Sequence, residues 1–243
     1  MDIGIFRYMP PVDTAVREVR PAADQGFGSV WIPPIFGLDA VTTMAVIARE
    51  VPDLRVGTGV VPVYRQHPMA LAQQALTVSQ AGGGRLALGS GLSHQVVGES
   101  LWGLSYDRPL RYMREYLAAL TPLLEGEQVA ATGEVVSAMG AVEVAAPRPE
   151  LLVAALCPRM LELAGRVTDG TVTWMVGPKT LADHIVPTND RAASDADRPA
   201  PQVAVSLPVC VTDHPDGAPP KSLVDALGGA DGMEITPYSG STF

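Results

Sequence analysis

Short apolar runs recur along the chain, and each is followed by a turn and then by a stretch with helical spacing. The runs are continuously apolar rather than alternating, a pattern typical of parallel strands that are buried on both faces. They predict strands at residues 2–6, 28–33, 54–61, 85–89, 151–156, 171–175, 203–209 and 233–236. The intervening stretches predict helices at residues 12–25, 38–50, 68–80, 108–124, 158–167 and 179–185.

The alternation of strands and helices indicates βαβ units and an α/β fold with a parallel sheet. Eight strands are consistent with a (β/α)8 TIM-like barrel, and a doubly wound sheet shows the same local alternation. Residues 126–150 interrupt this order with two short β-like runs, which predicts a hairpin inserted after helix 4. The polar, proline-containing residues 188–201 are predicted to form a surface connection.

The C-terminal part departs from the regular order. Only about twenty residues separate the last two predicted strands, and a barrel of this type usually needs roughly 250 residues. We therefore expect a single domain over residues 1–243, in which segment 213–243 is atypical and the end of the barrel is shortened or incomplete.

Composition excludes several classes of protein. Apolar residues make up 47% of the chain and charged residues only 18%, so the chain is expected to fold around a core. A formal charge of −9 with scattered basic residues argues against a nucleic-acid or anionic-membrane partner. The N-terminus has no basic region of a signal peptide, and Cys157 and Cys210 have neither metal nor disulfide-motif spacing. We expect a cytoplasmic protein without a metal site.

Candidate chemistry is expected where the strands of a barrel end, because the βα loops gather there. Glycines within predicted strand 54–61 indicate either the close approach of a ligand or tight packing of the barrel. At the end of the fourth strand, Gly89, Ser90 and Gly91 are able to present backbone N–H groups to an anion or a ring carbonyl.

Two predicted helix N-termini carry a cation. Cys157, Pro158 and Arg159 follow strand five, and Gly177, Pro178, Lys179 and Thr180 follow strand six. Free N–H groups, the helix dipole and a nearby Arg or Lys together favour a phosphate group. The alternative is that a proline in the first turn only marks the start of a helix.

Among the four histidines, His94 is the candidate acid or base because it follows the glycine-rich end of strand four. His67 is expected in a loop near a helix N-cap, and surface roles are expected for His184 and His214. Trp31 and Trp174 lie near the predicted strand ends, where they either flank a planar cofactor or pack in the core.

Several ordered segments resemble the luciferase-like monooxygenase superfamily. They are residues 26–31, 54–62 followed by His67-Pro68, 83–91, Tyr106-Asp107-Arg108-Pro109, and 161–170. Within the superfamily the chain is most similar to F420-dependent oxidoreductases, on the strength of residues 35–40 and 173–175. The resemblance implies a barrel that binds the deazaflavin F420, or alternatively FMN, with the ring over the ends of the strands.

The resemblance also implies particular residues. A cis peptide bond is expected around residues 59–61, behind the ring. The residues that it assigns to the cofactor are Gly59, Val60, Val61, Gly89, Ser90, Gly91, Ala155, Cys157, Pro158, Arg159, Gly177, Pro178 and Thr180. Cys157 replaces the glycine that relatives usually have there, and Leu92 replaces the acidic residue of some deazaflavin dehydrogenases. The acid role is then either vacant or taken by His94.

The function that the resemblance implies is hydride transfer between F420 and a small organic substrate. FMN-dependent monooxygenation and non-catalytic flavin binding remain as alternatives. A homodimer is expected from the habit of the family.

Overall fold

The computed structural model describes residues 2–7, 11–34 and 36–209 of the chain. Contacts divide the chain into two units, Met1–Ser206 and Leu207–Phe243, and every helix and strand given below belongs to the first. The predicted strand at residues 233–236, segment 213–243, Cys210 and His214 lie outside the described residues.

The first unit contains an eight-stranded parallel sheet and a separate two-stranded hairpin. The strands are β1 (Gly4–Phe6), β2 (Ser29–Ile32), β3 (Arg55–Thr58), β4 (Val61–Pro62), β5 (Leu86–Gly91), β6 (Val129–Thr132), β7 (Ser137–Gly140), β8 (Glu150–Ala154), β9 (Gly170–Trp174) and β10 (Gln202–Ser206). The sheet order is β1-β2-β3-β5-β8-β9-β10, and β4 pairs with β5. The sheet is nearly closed into a barrel, which confirms the predicted architecture.

Helices follow the sheet strands as predicted. They are α1 (Val12–Asp24), α2 (Ala40–Glu50), α3 (Pro68–Ala81), α4 (Pro109–Leu124), α5 (Pro158–Val167), α6 (Pro178–Thr180) and α7 (Val186–Ser194). Two π-helical turns, Val97–Leu101 and Leu181–Ile185, precede α4 and α7. None of the helices in the described part of the chain is long and apolar enough to cross a membrane.

Local chemistry explains where several helices begin. Asp39 caps α2 by accepting a 2.7 Å hydrogen bond from the backbone N–H of Thr42. α3 and α5 both begin at a proline, whose fixed φ angle and missing N–H suit the first helical position. The ring of His67 accepts from the N–H of Met69, so this histidine is the N-cap of α3. Its predicted position near an N-cap is confirmed.

The core has two layers because side chains alternate between the faces of each strand. One face packs against the helices and includes Val30, Val56 and Leu88, all fully buried. The other face fills the barrel interior, where Ala87 and Leu152 lie within a second, smaller cluster. Each large aliphatic side chain so buried contributes about 1.5–3 kcal/mol.

A polar network lies inside the barrel at the amino-terminal ends of the strands. The Arg55 guanidinium pairs with Glu150 and donates a 2.9 Å hydrogen bond to Oε1 of Gln202. These three residues begin β3, β8 and β10. Burial lowers the pKa of Arg55, and the nearby Asp2 carboxylate opposes that shift. The network therefore links three strands at the amino-terminal end of the sheet.

One predicted strand and part of one predicted connection were wrong. Residues 54–61 are not one strand, because a cis peptide bond between Gly59 and Val60 separates β3 from β4. Residues 188–194 are not a surface connection, since they continue the helical segment that starts at α6 through Ser194. Their small side chains, including Ala192 and Ala193, are buried and let α7 lie close to α5, so tertiary packing outweighs polar composition.

The predicted hairpin insertion is confirmed. β6 and β7 pair antiparallel, from Val129 opposite Gly140 to Thr132 opposite Ser137. Glu115 on α4 holds the turn, because one of its carboxylate oxygens accepts hydrogen bonds of 2.8 Å and 3.0 Å from the N–H groups of Val135 and Val136. The bond from Val135 and, to a smaller extent, the bond from Val136 lower the pKa of Glu115.

Candidate functional site

The carboxyl-terminal ends of the sheet strands, called the mouth below, carry an aromatic pair. The rings of Phe6 on β1 and Trp174 on β9 have centroids 5.3 Å apart and planes tilted by 39°. Trp174 is 43% exposed, so a large part of the residue is accessible. Trp174 therefore lies at the mouth, whereas Trp31 lies deeper, against Gly57, and packs in the interior.

The cis bond that the resemblance implies lies between Gly59 and Val60, beside the aromatic pair. A Cβ atom at Gly59 would come within 2.4 Å of the Phe6 ring. Gly59 and Val60 are half-buried, so this bulge forms part of the accessible wall of the mouth. The Thr58 hydroxyl anchors the bulge by donating a 2.8 Å hydrogen bond to the carbonyl of Gly89.

Packing explains the glycines of β5. A Cβ at Gly89 would lie 2.0 Å from the backbone oxygen of Thr58, and one at Gly91 would lie 2.6 Å from a methyl group of Val60. Both glycines are buried in β5 beneath the bulge, as is Ser90, whose hydroxyl donates to the carbonyl of Leu152. Tight packing is therefore a sufficient reason for glycine at both positions. Their contact with a cofactor stays a prediction, as does that of Val61, which is buried in β4.

The turn after β5 carries His94. Its side chain is exposed, and Ser93 before it has a φ of 67°, an uncommon left-handed conformation for a residue with a side chain. The hydroxyl of Tyr106 donates a 2.9 Å hydrogen bond to the carbonyl of Ser93. Burial, and to a smaller extent the nearby Cys157, raises the pKa of Tyr106, so its hydroxyl stays protonated as a donor.

Two helix N-termini open on adjacent loops, because β8 and β9 are neighbours in the sheet. Cys157, half-buried, is the N-cap of α5, with Pro158 and the exposed Arg159 in the first turn. Gly177 is the N-cap of α6, and nothing lies within 4 Å of where its Cβ would be. Lys179 is exposed and pairs with Asp183 one turn later. The sequence-predicted helix starts are confirmed, and the space around Gly177 is open.

These two N-termini contain the remaining residues assigned to a cofactor. We name residues 155–159 and 177–180 the two tail segments. Ala155 is buried at the end of β8, whereas Pro158, Pro178 and Thr180 are exposed. The first-turn N–H groups of a helix have no acceptor within the helix, so each segment offers donors to a bound anion.

The surface role expected for His184 was wrong. The residue is half-buried, and its Nε2 lies 3.0 Å from the carbonyl oxygen of Leu156, at the end of β8. The sequence carried no signal of this bond because 28 positions separate the two residues.

Sequence reasoning also missed a row of four tyrosines whose rings lie against one another. Tyr64 contacts the rings of Tyr106 and Tyr112 at centroid distances of 5.3 Å and 4.2 Å, and Tyr112 contacts Tyr116 at 6.1 Å. Burial is the main cause that raises the pKa of all four. The four-residue spacing of Tyr112 and Tyr116 on one helix face was the available signal.

A cavity of about 510 Å³ lies away from the mouth, where α7 leads into the amino-terminal end of β10. Charged groups line it, among them Asp190, Asp197 and Arg198. Arg198 donates to the carbonyl of Thr168, so its role there is structural. The cavity is therefore not part of the candidate site.

Comparisons with known proteins agree with this geometry. The luciferase-like monooxygenase family matches residues 4–227. A 5,10-methylenetetrahydromethanopterin reductase from Methanolobus tindarius is 30% identical over 230 residues, 93% of this chain and 70% of that protein. A putative coenzyme F420-dependent oxidoreductase from Mycobacterium tuberculosis is 27% identical over 194 residues, 74% of this chain and 56% of that protein.

A solved structure shows the same fold. The coenzyme F420-dependent tetrahydromethanopterin reductase from Methanopyrus kandleri superposes with a TM-score of 0.73 at 22% identity, over 84% of this chain and 64% of that one. The chain belongs to the luciferase-like monooxygenase family. It spans 70%, 56% and 64%, respectively, of the three proteins named.

The residues present fit a flavin-type cofactor. A partly exposed aromatic side chain and the bulge at Gly59 provide an uncharged wall for a planar ring. The tail segments, which include the exposed Arg159 and Lys179, provide cations and N–H donors for a phosphate group. The site thus offers an apolar surface for the ring of such a cofactor and positively charged, N–H-bearing segments for its phosphate.

Proposed function

We propose that the chain is an F420-dependent oxidoreductase that transfers a hydride between the deazaflavin and a small organic substrate. The observation that carries the proposal is the placement of an uncharged aromatic mouth beside two cation-bearing helix N-termini on adjacent strands. The names of the relatives support it, since one is called a coenzyme F420-dependent oxidoreductase and another a methylenetetrahydromethanopterin reductase.

In this proposal the mouth orients the ring of the cofactor. Gly59, Val60 and Trp174 contact the ring, while Val61, Gly89, Ser90 and Gly91 hold the bulge in place. When bound, F420 supplies the hydride chemistry, and the protein supplies orientation and exclusion of water.

The tail segments hold the phosphate-bearing part of the cofactor. Ala155, Cys157, Pro158 and Arg159 act from one side, and Gly177, Pro178 and Thr180 from the other. Cys157 is only half-buried as the N-cap of α5, so the first turn of that helix stays open to an anion.

His94 holds or releases the substrate proton. Its imidazole is exposed on the turn after β5, and an imidazole is able both to donate and to accept a proton. Position 92 does not provide an acid, because it is occupied by Leu92, whose side chain is apolar and buried.

A titration of the purified chain with F420 and, separately, with FMN tests the proposal. We expect micromolar or tighter binding of F420, at least about tenfold tighter than FMN, a difference of about 1.4 kcal/mol. Preference for FMN would replace the proposal with FMN-dependent monooxygenation, the reaction for which the family is named. Binding of F420 without turnover of any substrate would favour a non-catalytic flavin-binding protein, and micromolar binding to neither would exclude both enzyme functions.

The proposal includes a cytoplasmic homodimer that acts on a small molecule and binds neither nucleic acid nor membrane. The absence of clustered basic residues in the sequence supports the expectation about partners. Multi-angle light scattering at micromolar concentration tests the dimer, and a mass of 25.5 kDa would show a monomer instead.

A further inference from the structure

His184 joins two segments that are distant in sequence. Its Nε2 lies 3.0 Å from the backbone oxygen of Leu156, and a carbonyl oxygen only accepts hydrogen bonds. The Nε2 atom therefore carries the proton and donates it to Leu156. The residue is half-buried within the π-helical turn Leu181–Ile185, and the next residue, Ile185, is fully buried in the core.

Both ends of this bond adjoin the tail segments. Leu156 lies within the first segment and immediately precedes Cys157, the N-cap of α5. His184 lies four positions beyond Thr180, in the helical segment that begins at Gly177. Within the described part of the chain, no other hydrogen bond joins residues 155–159 to residues 177–185.

The bond also satisfies a group that the sheet leaves free. The paired register of β8 with β9 ends at Ala154, so the Leu156 carbonyl lies beyond the strand ladder. The neighbouring cation Lys179 is exposed and pairs with Asp183 instead. His184 alone provides Leu156 with a side-chain donor from the opposite segment.

We propose that His184 is a positioning residue that sets the distance between the two tail segments, so that both bind the same phosphate-bearing tail of a flavin or deazaflavin. The inference rests on the proposed function. Hydrogen bonds to phosphate oxygens need donors within a few tenths of an ångström of their optimum, so a shift of one helix N-terminus weakens binding of the tail and leaves the ring site intact.

The experiment compares ligands that share a ring and differ in the tail. The dissociation constants of F420 and of its tail-less deazaflavin alcohol are measured for the wild-type chain, His184→Ala and His184→Gln. We expect His184→Ala to weaken F420 binding about five- to tenfold, the equivalent of one net hydrogen bond, while the tail-less ligand is unaffected. His184→Gln should restore F420 binding because its amide nitrogen donates from a similar position.

His67→Ala is the matched control. His67 makes the same type of bond, from Nε2 to the carbonyl of Ser137 at 2.9 Å, but is the N-cap of α3 and belongs to neither tail segment. It should leave both dissociation constants unchanged. Trp174→Ala, at the mouth, should weaken both ligands together. Thermal unfolding of each variant shows how much of any change comes from lost stability.

Three outcomes overturn the inference. Equal loss of both ligands in His184→Ala would show a general structural role, and unchanged F420 binding would show no role in the tail site. If the wild-type chain binds the tail-less ligand as tightly as F420, the two segments do not form a binding site for the tail. If the wild type prefers FMN, the same comparison with FMN and riboflavin tests His184, and the proposed use of F420 fails separately.

Discussion

The hydroxyl of Tyr106 donates a 2.9 Å hydrogen bond to the backbone carbonyl of Ser93, the residue before His94. The carbonyl of His94 in turn accepts from the N–H of Gly98 at 2.9 Å. The ring of Tyr106 packs against Tyr64, so the row of tyrosines supports the turn that presents the candidate acid.

Tyr106→Phe should therefore loosen the turn after β5. Loss of one half-buried hydrogen bond should lower the free energy of unfolding by about 1 kcal/mol, measured by urea denaturation. Turnover should fall more than F420 affinity, since the bond holds the His94 turn rather than the cofactor. Tyr112→Phe is the control, because the Tyr112 hydroxyl makes no hydrogen bond to a described residue. Equal behaviour of the two variants would contradict the supporting role.

His94→Ala should reduce turnover with F420 by roughly 10²- to 10⁴-fold, the usual contribution of a positioned general acid or base. The side chain is exposed, so stability and F420 affinity should stay at wild-type values. Steady-state kinetics with F420 checks this. The neighbouring variant Gln95→Ala is the control and should keep wild-type turnover. Unchanged turnover in His94→Ala would remove the residue from the mechanism.

Gly89→Ala tests whether packing under the bulge requires glycine. The added methyl group would lie 2.0 Å from the backbone oxygen of Thr58. A backbone atom within a strand is unable to move aside as the end of a flexible side chain does. We expect a loss of about 1–3 kcal/mol in the free energy of unfolding, typical of overpacking. Gly37→Ala is the control because nothing lies within 4 Å of its Cβ position. If both variants unfold at the same urea concentration, the packing explanation is wrong.

Glu115→Gln should change how stability depends on pH. Hydrogen bonds from Val135 and Val136 lower the pKa of Glu115 in the folded chain below its ordinary value of 4.5. The carboxylate therefore stabilises the fold fully above pH 4.5, and this stabilisation is lost as the pH falls through the lowered folded pKa.

The measurement is the free energy of unfolding of wild type and Glu115→Gln between pH 3 and pH 7. Wild type should be the more stable at pH 7, and the difference should shrink below pH 4.5. Glu127→Gln, at an exposed position near the same hairpin, should not show this pH dependence. A difference that stays constant with pH would show that the charge of Glu115 is not involved.

Local sequence patterns predicted most elements of the sheet and its helices. The bounds predicted for α5 agree with the structure because Pro158 at the first position and an apolar stripe on one face define that helix without reference to other parts of the chain. The hairpin was equally predictable, since Gly133 and Gly140 delimit two short runs.

The prediction failed where distant residues decide the structure. α7 is helical because its small residues pack against α5, and no property of residues 188–194 alone reveals that partner. Arg55 reaches Gln202 across 147 positions, and His184 reaches Leu156 across 28. Both bonds exist only because the parallel sheet brings residues of separate βαβ units together, the first at the amino-terminal ends of the strands and the second beyond their carboxyl-terminal ends.

For the candidate site, the sequence by itself determined which residue types follow each strand, and hence that glycines, a histidine and two cation-bearing helix starts would meet at one end. Tertiary structure decided which of them are accessible. It buried Gly89 and Gly91 under Val60, left Trp174 open, and linked the tail segments through His184. The physical reason is that periodicity records which face a residue turns to the core, whereas hydrogen bonds and close contacts depend on the distance between strands that only the folded sheet sets.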